Sequence, residues 1–118
     1  MATHANLAGL EVGDGYPVRI VGAINVSPES FYRGSVAADE DALRQRAEGM
    51  AAEGADMLDV GAMSTAPYLE TAISEAEEIR RLTWAVGVLR SAVALPISAD
   101  TTRCRAALAA LDAGAVVI

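Results

Sequence analysis

Residues 19–31 read RIVGAINVSPESF, and this stretch decides the fold because an apolar run passes directly into a polar segment. Its apolar part, at residues 18–24, is short and rich in β-branched residues, as is typical of a buried strand. Three similar runs follow, at residues 55–60, 95–99 and 115–118. The sequence therefore predicts four strands.

Helix signals occupy the segments between these strands, at about residues 39–53, 74–92 and 102–113. Ser74 followed by Glu77 indicates a capping box at the start of the second helix. On the third helix, Cys104, Leu108 and Leu111 have helical spacing and predict its buried face. We interpret Cys104 as a small buried hydrophobic residue; the alternative is a reactive thiol near a helix start.

The predicted order is β-α-β-α-β-α-β with parallel strands, an α/β fold equal to half of a (β/α)8 TIM barrel. Residues 1–17 form a lead-in, and residues 18–118 form a partial barrel that stops after its fourth strand. An uncovered parallel strand exposes unpaired backbone groups. We therefore expect part of a longer protein, or a homo-oligomer joined through the exposed half-barrel edges.

Composition narrows the class of protein. The 118 residues carry a formal net charge of −7, which argues against nucleic acid as a partner. No apolar run reaches the length of a membrane span, and no signal-peptide pattern opens the chain, so a cytoplasmic location without a membrane partner is expected. A single cysteine allows no intrachain disulfide.

Polar residues lie at the ends of three successive predicted strands: Asn25 follows the first, Asp59 lies at the end of the second, and Asp100 follows the third. The carboxyl ends of parallel strands share one edge, where ligands bind in such folds. This clustering predicts a site for a ligand rich in N–H groups or for a hard metal ion. Three structural alternatives stay open: Asp100 could cap the third helix, Ser64 and Thr65 could be ordinary loop residues, and Asp59 could hold a neighbouring loop.

Three motifs together resemble the dihydropteroate synthase family: residues 19–31, GADMLDVGAMSTAP at 54–67, and LPISADTT at 95–102. The terminal GAVVI, at 114–118, is similar to the fourth strand of the same barrel. The resemblance implies an enzyme of folate biosynthesis that joins a pterin pyrophosphate to the amino group of an aminobenzoate-type substrate. It also implies Mg²⁺ as a cofactor.

The resemblance assigns roles to individual residues. Asn25 matches a residue at the magnesium and pyrophosphate end. Asp100 matches a residue that contacts the pterin, and Phe31 matches a loop residue near the aminobenzoate. Ser27 and Pro67 belong to the two matched loops and are expected to bind substrate.

Four residues are expected to carry or support catalysis. Ser64 and Thr65 match a second loop, whose threonine helps to position the substrates in the family. Asp59 matches an aspartate that supports the site. Arg33, on the first loop, is included because it stands where the family usually has an aspartate.

The two loops also depart from the family. Ala66 stands where the second loop usually has an arginine, and Met63 where it usually has a glutamate. We interpret the chain as similar to archaeal-type variants of the family. Arg33 would then replace the missing arginine and meet a phosphate on a ribosyl aminobenzene acceptor; the alternative is a solvated loop residue.

Two other functions remain open at this point. The chain could be a non-catalytic half-barrel module that self-associates or binds a partner. It could also be a pterin-binding methyltransferase, although the two loop motifs favour the synthase. Because further ligands of the family lie beyond the fourth strand, we expect the isolated 118 residues to be inactive.

Overall fold

The computed structural model describes residues 2–27, 36–63 and 73–118. It begins with an antiparallel hairpin of β1 (His4–Leu7) and β2 (Leu10–Gly13), paired from His4↔Gly13 to Leu7↔Leu10. Ala8 and Gly9 form the turn with positive φ angles of 52° and 97°, as tight hairpin turns require. This hairpin lies in the lead-in, for which no strand was predicted.

A parallel sheet follows, made of β3 (Val21–Asn25), β4 (Met57–Gly61) and β5 (Ile97–Asp100) in that spatial order. All three lie within one to three residues of the predicted strands. Residues 115–118 contribute a single parallel bridge, Ser98↔Val117, where a fourth strand was predicted. The chain therefore continues the sheet beside β5, although only this bridge marks the fourth strand.

Helices connect the strands: α1 (Val36–Ala52), α2 (Glu75–Ala92) and α3 (Cys104–Ala113). α1 begins three residues before the predicted start, and α2 and α3 agree closely with prediction. Ser74 caps α2 by accepting a hydrogen bond from the backbone N–H of Glu77, at 3.1 Å. None of the described helices combines the length and the apolar character needed to cross a bilayer.

The core lies between one face of the sheet and the helices. Leu58 and Val60 on β4 are fully buried, as are Leu43 on α1 and Leu82 on α2. Alternate residues of a strand point to opposite faces, so the residue between Leu58 and Val60 points away from the helices. That residue is Asp59.

The prediction for the buried face of α3 was wrong. Cys104 is exposed, and Leu108 and Leu111 are 61% and 42% exposed, whereas Ala106 and Ala110 are buried. The helix has an apolar residue on nearly every side, so spacing alone could not show which stripe faces α2. Alanine allows two helices to approach closely, and the larger side chains therefore lie outward.

Candidate functional site at the carboxyl ends of the strands

The sheet register places the ends of all three parallel strands in one row. Asn25 pairs with Gly61, and Gly61 pairs with Asp100. Asn25 and Asp100 are thus two strands apart at the same level, about 10 Å by the usual strand spacing. Two residues before this row, Ala23, Asp59 and Ser98 form a second row on the same face. Both rows lie on the sheet face opposite the helices.

Asn25 ends β3 and is held by bonds from its own neighbourhood. Its Oδ1 accepts a hydrogen bond from the N–H of Ser27 at 2.7 Å. Its Nδ2 donates to the carbonyl of Met63 at 3.3 Å, a long bond. Ser27 itself is 2% exposed. The amide is therefore oriented by a local turn and by Met63, two residues after β4.

Asp59 lies in the middle of β4 and faces the partly exposed side of the sheet. Its Oδ1 accepts a hydrogen bond from the hydroxyl of Ser98 on β5, at 2.5 Å. A short hydroxyl–carboxylate bond of this kind is charge-assisted and strong. Asp59 therefore links β4 to β5, so the alternative in which it holds a loop is replaced by a link between strands.

Asp100 is the last residue of β5 and its side chain is exposed. It is not the cap of α3: the N-cap position is Arg103, without a side-chain capping bond. Close to Asp100 lies Gly61, whose ideal Cβ would be 3.6 Å from the Asp100 Cβ. The carboxylate is therefore available to a ligand above the strand ends.

A buried polar group lies directly behind Asp100. Thr101 donates its hydroxyl proton to Glu78 Oε2 at 2.8 Å, and the same hydroxyl oxygen accepts from the N–H of Arg103 at 3.2 Å. Glu78, in the first turn of α2, is fully buried. Arg103 Nη2 donates to the carbonyl of Ile73 at 2.8 Å. These contacts join the end of β5 to the start of α2.

Five predicted site residues lie outside the described residues, so their placement stays a prediction. They are Phe31, Arg33, Ser64, Thr65 and Pro67. Of the four predicted residues that the structure describes, Asn25 and Asp100 end their strands, Asp59 lies two residues before the end of β4, and Ser27 follows β3 by two residues.

Ser98 and Glu78 are two further residues of the site that were not predicted from the sequence. Ser98 stands two residues before Asp100 on the same strand, and period-two alternation alone would have put both on one face. Glu78 precedes Leu82 by four residues, so it lies on the apolar stripe of α2 and should have been expected to be buried.

The described residues contain no group of three or more His, Cys, Asp or Glu side chains arranged to hold a metal ion. Side chains whose oxygen atoms could each bind a metal ion are nevertheless present at Asn25, Asp59 and Asp100. The arrangement can accept hydrogen bonds from a polar ring and offer a single oxygen to a hard cation.

Comparison with known proteins identifies the class to which this site belongs. A family described as "Pterin binding enzyme" matches residues 21–118, which is most of the chain. The chain belongs to this pterin-binding family. The match includes every strand and helix that builds the site.

Relatives of the chain include dihydropteroate synthases. The chain is 40% identical over 102 residues to the synthase of Staphylococcus haemolyticus, covering 85% of this chain and 37% of that protein. It is 36% identical over 99 residues to that of Clostridium beijerinckii, covering 84% and 36%. A bifunctional folylpolyglutamate synthase/dihydropteroate synthase of Haloferax volcanii is 35% identical over 109 residues, covering 89% and 13%.

Solved structures agree. The dihydropteroate synthase of Xanthomonas albilineans with 4-aminobenzoic acid superposes with a TM-score of 0.79 at 35% identity, covering 98% of this chain and 42% of that one. The synthase of Anaplasma phagocytophilum with bound 6-hydroxymethylpterin-monophosphate gives 0.70 at 36% identity, covering 82% and 37%. The predicted fold, part of a TIM barrel, is confirmed. The chain spans well under half the length of these relatives.

Proposed function

We propose that this chain supplies the first three strand ends of a dihydropteroate synthase-like site, in which a pterin pyrophosphate condenses with an aminobenzoate-type amine. The observation that carries the proposal is the common row of Asn25 and Asp100, with Asp59 two residues before that row on the same face. These residues are acceptors at the carboxyl ends of parallel strands, where a barrel places its substrates. Membership of the pterin-binding family supports the same function.

In this reaction, the amine nitrogen forms a bond to the methylene carbon beside the pterin ring. The bond from that carbon to the pyrophosphate oxygen breaks, pyrophosphate leaves with the electron pair, and the amine loses a proton. Positive charge develops on the pterin as the leaving group departs. Asp100, an exposed carboxylate at the end of β5, would accept N–H bonds from the ring and stabilise that charge.

Asn25 is the described residue suited to the magnesium and pyrophosphate end. Mg²⁺ commonly keeps several waters and binds through few protein ligands together with substrate phosphates. The single amide oxygen of Asn25 at the end of β3 is consistent with that preference. The described residues contain no larger cluster of metal-binding side chains. A bound Mg²⁺ would neutralise charge on the leaving pyrophosphate.

The remaining assignments are carried by sequence. Ser64 and Thr65 would position the substrates, and Phe31 and Pro67 would contact them. Arg33 would meet a phosphate on the acceptor, as proposed for an archaeal-type variant. A cytoplasmic location and association of copies through the sheet edge also stay predictions. A monomer by light scattering would contradict this association.

The test is pterin binding by the protein at its full natural length. Calorimetry with 6-hydroxymethylpterin monophosphate should show binding, and Asp100→Asn should weaken it by about tenfold or more, because a charged hydrogen bond is lost. Asp112→Asn, an exposed change on α3, is the matched control and should bind normally. Equal affinity of Asp100→Asn and the unchanged protein would contradict the role of Asp100.

A further inference from the structure

The fully buried carboxylate of Glu78 has no part in the proposed reaction, yet it lies behind the end of β5. Its Oε2 accepts from Thr101, the residue directly after Asp100. Its Oε1 is 3.6 Å from Arg103 Nη1, and each of these two atoms is buried without a hydrogen-bond partner among the described residues. A buried charge is costly unless it is paired, so this carboxylate needs Arg103 and Thr101 together.

We propose that Glu78 and Arg103 are positioning residues that fix the backbone after β5, and with it Asp100, against the first turn of α2. The Thr101 hydroxyl is engaged on both sides, as donor to Glu78 and as acceptor from the N–H of Arg103. A hydroxyl bonded in both directions has one orientation. The residue next to Asp100 is therefore fixed from within the protein.

Arg103 makes its two contacts through different nitrogens. Nη1 faces the Glu78 carboxylate, whereas Nη2 donates to the carbonyl of Ile73 at 2.8 Å. The planar guanidinium holds both partners at a set separation, which a lysine ammonium cannot reproduce. Arg103 thus joins three places: the loop after β5, the first turn of α2, and Ile73, two residues before that helix.

The consequence for binding rests on the proposed function, because it assumes that Asp100 contacts the pterin. Loss of the two contacts of the Arg103 guanidinium would let the backbone at Asp100 move, and this movement would weaken pterin binding. The charge beside Glu78 would remain in an Arg103→Lys variant, so the fold should be kept. The effect of Arg103→Lys on pterin binding can therefore be separated from an effect on the stability of the fold.

The experiment uses the protein at its full natural length, with Arg103→Lys as the test variant. Arg80→Lys is the matched control, because Arg80 is a 70% exposed arginine on α2 that pairs only with Glu77 among the described residues. Amide hydrogen exchange should be about tenfold faster at residues 100–103 in Arg103→Lys, with unchanged exchange in β3 and β4. Affinity for 6-hydroxymethylpterin monophosphate should fall by about tenfold, while affinity for 4-aminobenzoic acid stays the same.

The possible results separate the two proposals. Unchanged exchange at residues 100–103 in Arg103→Lys overturns the positioning role. Faster exchange with undiminished pterin affinity also overturns it, provided that Asp100→Asn loses binding. Failure of the unchanged protein to bind the pterin overturns the proposed function, and the exchange measurement then decides alone whether Arg103 fixes this backbone. Equal exchange changes in β3, β4 and residues 100–103 would show a general loss of stability and overturn the positioning role.

Discussion

The ends of β5 and β3 each present a residue to the same site, but they are held in different ways. Behind Asp100, the side chain of Thr101 is tied to Glu78 on α2, and Arg103 reaches Ile73. At the end of β3, Asn25 accepts from Ser27, two residues further on, and makes one long bond of 3.3 Å to Met63. One end is fixed by other parts of the fold, and the other mainly by its own turn.

This difference suggests a division of labour within the site. A residue that recognises a rigid ring gains from a fixed position, because little ordering cost is then paid on binding. An amide that serves a metal and a flexible pyrophosphate can be oriented by those groups when they arrive. The side chains behind Asp100 should therefore matter for stability, and those around Asn25 much less.

The largest effect is expected at the β5 end. Glu78→Ala removes a buried carboxylate and leaves Arg103 and Thr101 without their partner. Removal of one member of a buried ion pair costs about 3–5 kcal/mol. Because the Arg103 side chain is 30% exposed, we expect a loss near the lower limit, about 3 kcal/mol in the free energy of unfolding measured in urea.

A matched control is available on the same turn of α2. Glu75 is 43% exposed and its ion pair with Arg105 spans 3.8 Å, so Glu75→Ala should cost less than about 1 kcal/mol. Similar losses for the two variants would show that the β5 end is not fixed through Glu78.

A smaller effect is expected at the β3 end. Asn25→Ala removes the acceptor for the N–H of Ser27 and the bond to Met63, and should cost about 1 kcal/mol in the same urea measurement. Asn25→Asp keeps an acceptor for Ser27 and should lose less. A cost for Asn25→Ala as large as that for Glu78→Ala would remove the difference between the two ends.

The positions of the residues at the two strand ends could be predicted from the sequence. The different ways in which the two ends are held could not. Strand alternation and chain order placed Asn25, Asp59 and Asp100 at one edge, because backbone geometry alone decides that. The bonds of Glu78 to Thr101 and Arg103 depend on how α2 packs beside β5, which no local pattern contains. Likewise, the buried stripe of α3 depends on which apolar face meets α2, and an alanine-rich helix offers several.

The smallest effect concerns Glu77, which is one residue before Glu78 but lies at the surface. Hydrogen bonds from Arg80, and then from Arg81, lower the pKa of Glu77 from 4.5 to about 2. A lowered carboxyl pKa adds stability above pH 4.5, and this contribution disappears as the pH falls towards 2. Glu77→Gln should therefore cost about 0.5 kcal/mol near neutral pH and nothing near pH 2. The measurement is the difference in the free energy of unfolding between the variant and the unchanged protein at each pH. Salt should reduce the difference, since the Arg80 side chain of these pairs is 70% exposed. A stability loss that persists at low pH would contradict an origin in the ion pairs of Glu77. A loss as large as that of Glu78→Ala would show that the whole first turn of α2, and not its buried residue, holds the end of β5.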